Sequence, residues 1–119
     1  MAGVMNDLHA FRFNLTADPA GNYDFVCTRG WLVLDQIVSW DATAGTSLQL
    51  NRSTAAAPTV FNAVGDALST ATVDDVEYVA ENVPAQTTFA AGDTMRVVSV
   101  GVCSADLIVE VQPTTWIAG

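Results

Sequence analysis

Residues 31–40 read WLVLDQIVSW, and the placement of that stretch decides the fold. Trp31, Val33 and Ile37 share one parity, while Leu32, Leu34, Val38 and Trp40 share the other. A segment rich in β-formers and apolar on both sides reads as a central or sandwich-core strand. Asp35 interrupts its longest apolar run, Trp31 to Leu34, far short of the ~18 residues a membrane span needs.

Short strands and turns surround it. Upstream, LHAFRFNL alternates, with His9, Phe11, Phe13 and Leu15 on one side and Leu8, Ala10, Arg12 and Asn14 on the other. TADPAGNYD supplies Pro19, Gly21 and Asn22 for a turn, and FVCT reads as a short strand closed by Gly30. Downstream, DATAGT is a turn, SLQLN alternates through Leu48 and Leu50, and 53–58 reads as a small polar loop. TVFNAVGDALS fits either a strand interrupted by Gly65 or a short helix.

The TATVDDVEYVAENVP segment also stays open. Thr72 and Asp75 form a capping-box pattern for a short helix near 72–82, stopped by Pro84, while Val76, Tyr78 and Ala80 suit strand spacing equally well. Ala90 to Asp93 makes a turn, and Thr94 onward forms a strand in which Val98, Val100 and Val102 are expected to fill a sandwich face. Arg96 lies on the same alternation, near the rim, where a carboxylate can pair with it. Leu107, Val109 and Val111 oppose Ile108, Glu110 and Gln112 in the last strand, with SAD as a hairpin link. Roughly seven or eight strands at this spacing predict an all-β chain, a single antiparallel β-sandwich or jelly-roll-like domain over 1–119. Residues 1–7 are expected as an N-terminal arm and 113–119 as a C-terminal tail.

Composition narrows the function. The formal net charge is −9, lysine is absent, and the cations are Arg12, Arg29, Arg52 and Arg96. Four dispersed arginines among thirteen acids cannot neutralise a phosphate backbone, so no nucleic-acid partner is expected. MAGVMND shows no basic start followed by an apolar run, so neither a secretion signal nor a membrane partner is expected, and assembly in a cytoplasm is. Cys27 and Cys103 then read as reduced core thiols, with a disulfide between them the alternative that sequence leaves open.

Chemistry is sparse. His9 is the single histidine, and nothing beside Cys27 or Cys103 marks an activated nucleophile. Two cysteines and one histidine fall short of a structural zinc set. Asp74, Asp75, Glu77 and Glu81 lack the ligand spacing of a calcium loop and read as a solvated face. The glycines are scattered singly, with no phosphate-binding loop. No enzyme activity, cofactor, metal or small-molecule ligand is expected. The interface candidates are aromatic and apolar: Trp31 and Trp40, for which core packing is the default, and Trp116 with Ile117, on a tail that needs a surface to dock on.

In order, GWLVLDQIVSW, GTSLQLNRSTAA, ATVDDV, AAGDTMRVVS and CSADLIVEVQP resemble the tailed-bacteriophage capsid decoration (cement) proteins, a family of small jelly-roll-like β-sandwiches. The likeness spans Gly30 to Pro113 and rests most on Thr72 to Asp75 and Ala90 to Val97. VEYVAENVPAQTTF is longer than the link usual between those two motifs. The resemblance implies a virion protein on the outer capsid surface, a homotrimer bound between capsomers to the major capsid protein. A trimeric receptor- or glycan-binding module of a phage fibre or spike is the alternative, with tryptophans stacking on sugars.

Overall fold

The computed structural model describes residues 3–6, 9–40, 47–65, 67–69, 76–78 and 82–114. Among them there is no α-helix, only a single 3-10 turn, Pro84–Gln86. The strands are β1 Gly3–Asn6, β2 Ala10–Asp18, β3 Gly21–Val26, β4 Trp31–Trp40, β5 Ser47–Thr54 and β6 Ala57–Ala63. They continue as β7 Leu68–Ser69, β8 Val76–Tyr78, β9 Thr88–Phe89, β10 Thr94–Ser99 and β11 Cys103–Pro113.

Two antiparallel sheets form a β-sandwich. Sheet A runs β1-β2-β11-β4-β8, with β9 also on β4; sheet B runs β3-β10-β5-β6, with β7 also on β5. The alternation of β2 and β11 delivers Phe11, Phe13, Leu15, Leu107, Val109 and Val111 to the core. Leu48, Leu50, Met95 and Val97 meet them from sheet B, and the rings of Phe11 and Phe25 of β3 form a T-shaped pair with centroids 5.0 Å apart. Burying side chains of this size stabilises the fold by about 1.5–3 kcal/mol each relative to exposure.

Three local expectations change, and a segment left open is assigned in part. Residues 53–58 are not a loop: β5 and β6 meet in a tight hairpin turning at Ala55 and Ala56. There the Thr54 hydroxyl and the Asp93 carboxylate accept the N–H groups of Ala57 and Ala55, which small residues leave uncrowded. SAD is not a hairpin link, because β10 belongs to sheet B and β11 to sheet A; 100–102 is a corner between sheets. The inward residues of β10 are Met95, Val97 and Ser99, while Val100 and Val102 are 69% and 56% exposed. Arg96 decides that phase, since its charge keeps its own alternation outside. In the segment 72–82, Val76–Tyr78 is strand, paired with Ile37 to Ser39, and the remaining described residue, Asn82, makes a bridge to Gly65.

At the N-terminus, Gly3–Asn6 of the expected arm forms the edge strand of sheet A. Ala57–Ala63 is strand, which resolves the first part of TVFNAVGDALS.

Candidate contact surface

The inner side of β4 carries Trp31, Val33, Gln36 and Val38, all buried. Its outer side carries Leu32, Leu34, Asp35 and Ile37. Two consecutive outward residues, Leu34 and Asp35, arise from a bulge: Glu110 pairs with Asp35 and Val111 with Val33, so Leu34 is the extra residue. Asn82 holds that bulge. Its side chain donates to the Leu34 carbonyl at 3.3 Å and accepts from the amide of buried Gln36 at 2.8 Å.

Cross-strand register builds the outer face of sheet A in rows. Ile108 lies between Arg12 on β2 and Ile37 on β4. The next row sets Glu110 between Ala10 and Asp35, with Leu34 beside them. Leu32 follows, opposite Gln112. Leu34 is 51% exposed; Leu32, Ile37 and Ile108 are half-buried, and no described element lies over them. A strand with apolar residues on both sides, covered on one, leaves a surface suited to contact.

Charge is uneven across this face. Arg12 reaches diagonally to Asp106 at 2.6 Å, and the Asn14 amide donates to the other Asp106 oxygen at 2.5 Å. Partial burial pushes the Asp106 carboxyl up, but the hydrogen bonds from Arg12 and Asn14 and the charge of Arg12 outweigh it, so it sits below the usual carboxylate range. Asp35 and Glu110 differ in having no arginine partner among the described residues, although Asp35 Oδ1 accepts the backbone N–H of Gln36 at 2.8 Å. They are directly opposed on neighbouring strands, where like charges disfavour one another, and no cation stands between them among the described residues.

The outer face of sheet B is organised around an internally paired arginine, with Val26 exposed at the end of β3. Register aligns Asp24, Arg96 and Asn51 across three strands. Arg96 binds Asp24 through two hydrogen bonds, 2.8 and 2.9 Å, and its guanidinium lies 3.6 Å over the Phe61 ring. A bidentate, ring-stacked arginine is already satisfied within the chain.

Of the aromatic and apolar candidates, Trp31 is in the core, 2% exposed, edge-on to Phe11 at 5.1 Å. It offers no open ring face to a sugar or another subunit. Trp40 ends β4, its backbone paired with Ala105, and its side chain lies outside the described residues, as do Trp116 and Ile117. So do Asp74, Asp75 and Glu81 and the side chains of Glu77 and Cys103. Cys27 is a buried free thiol, pushed up to about 12 by burial first and by the Asp93 charge second, which suppresses the thiolate a nucleophile needs. His9 is exposed at the start of β2. Among the described residues, no three His, Cys, Asp or Glu side chains gather where a metal ion could be held. Sequence reasoning missed Leu34, Ile37, Ile108, Asp35 and Glu110 as a surface, although the two-sided apolar character of 31–40 was the signal for it. No protein-family model, no curated protein and no solved structure matches the chain.

Proposed function

We propose that this chain is a binding protein with a structural role, a decoration (cement) protein on the outer surface of a phage capsid, seated between capsomers and stabilising the expanded shell. The observation that carries the reading is the outer face of sheet A, where Leu32, Leu34, Ile37 and Ile108 lie in adjacent rows with no described element over them. The order of motifs between Gly30 and Pro113, with its resemblance to that family, supplies the partner: the major capsid protein. The net charge of −9 supports an outer location, away from a packaged genome. In such an assembly the chain acts as a homotrimer and needs no cofactor. Each contact buries apolar area worth ~25 cal/mol per Å², and many modest contacts add up across a shell.

Co-sedimentation tests this. Purified protein mixed with empty expanded heads is expected to saturate at a fixed ratio to capsomers. Protein that stays in the supernatant while joining fibres or tails contradicts the reading.

A further inference from the structure

We infer that the outer face of sheet A is covered by a different protein, not by a second copy of this chain, and that the covering segment sets an arginine or lysine beside an apolar side chain. This rests on the shell-binding reading above and names the chemistry of the partner. The face pairs an aliphatic patch, Leu34, Ile37 and Ile108, with the opposed carboxylates of Asp35 and Glu110 one row away. A partner that meets this face must bury the aliphatics and offset two negative charges that already disfavour each other.

This chain has little to offer as that partner. It has no lysine and four arginines, and each arginine is engaged at home. Arg12 is bound to Asp106, Arg96 to Asp24, and Arg52 to Gln86 at 2.8 Å with Asp93 at 3.4 Å. The Arg29 guanidinium lies 5.3 Å from the centre of the Trp31 ring. Two copies placed face to face through sheet A bring four carboxylates together, on chains that each carry −9. Charge complementarity therefore selects a basic, partly apolar surface of another protein, and a homotrimer must use other contacts.

The test compares the wild type, the charge-neutral pair Asp35→Asn with Glu110→Gln, and Leu34→Asn, each as the full chain. Binding to empty expanded heads is titrated by co-sedimentation from low salt to about 1 M, where screening shortens to ~3 Å. Neutralising both carboxylates is expected to weaken binding about fivefold at low salt and hardly at all at high salt. Leu34→Asn is expected to weaken it at every salt concentration. Sedimentation of the free chains is expected to give one mass for all three. Equal affinity of wild type and the charge-neutral pair at low salt overturns the inference and leaves the shell-binding reading standing. A smaller assembly mass for Leu34→Asn, or a larger one for the charge-neutral pair, also overturns it, since the face then joins copies of this chain. No binding of the wild type to heads removes both readings.

Discussion

Asn82 accepts from the Gln36 amide and donates to the Leu34 carbonyl, so a single side chain satisfies a buried polar group and fixes the bulge. Asn82→Ala leaves the Gln36 amide unpaired in the core, and urea unfolding should show a loss of about 1–3 kcal/mol. Ala17 is strained: its φ is 50°, in the left-handed region, where β2 slips past β11. Its N–H donates to the Ser104 hydroxyl at 2.7 Å, which holds it there. Glycine removes the Cβ clash but loses more entropy on folding, so Ala17→Gly should raise stability by about 0.5 kcal/mol. A clear loss on that substitution contradicts the strain. Cys27 gives a pH signature. Its folded pKa of about 12 lies above the ordinary 9.0, so the stability from its neutral thiol is complete below about pH 9 and is lost as pH rises towards 12. Wild type should fall by up to ~1.4 kcal/mol per pH unit more than Cys27→Ala in that window. Parallel curves for the two proteins contradict it.

Among elements, the end of the sandwich near Asp93 joins two turns. Asp93 is buried; its side chain accepts the N–H of Ala55 at 3.2 Å and of Ala90 at 2.9 Å, while its backbone carbonyl accepts the N–H of Cys27 at 2.8 Å. Arg52 provides the countercharge at 3.4 Å. Asp93→Ala strands both amides and the arginine, and a loss of about 2–4 kcal/mol is expected from denaturant midpoints. The turn at 90–93 was visible in composition, while the one at 55–56 was read as part of a loop, and the carboxylate linking them was hidden because 55 and 93 are distant in sequence. The strands themselves were legible where one alternation is consistently apolar: the buried sets of β2 and β11 match it, even though Ile108 adds an aliphatic to the outer side of β11. In β10 each alternation carries a valine, Val97 on one and Val98 on the other, so valine counting chose the wrong face; the charge of Arg96 was the better guide. Corners were illegible for a related reason. A three-residue link such as 100–102 looks the same whether its strands pair or change sheets, and pairing with β2 and β5 decides between the two.

At the scale of the molecule, the two outer faces behave differently. Sheet B satisfies its central arginine internally and exposes Val26 at a strand end, whereas sheet A sets Leu34, Ile37 and Ile108 in adjacent rows beside two opposed carboxylates. The sequence of 31–40 already announced apolar residues on both sides, but one chain cannot say what lies over the second side. The bulge at Leu34, which turns two successive side chains outward, has no local sequence mark; it depends on Asn82, 48 residues along the chain. The central claim is that sheet A, through this face, meets the shell. Hydroxyl-radical footprinting of the protein alone and bound to expanded heads reads that directly. Leu34, Ile37 and Ile108 should lose labelling on binding while Phe61, Val100 and Val102 keep theirs. Protection of Val100, Val102 or Phe61 with Leu34 and Ile108 unchanged would contradict it.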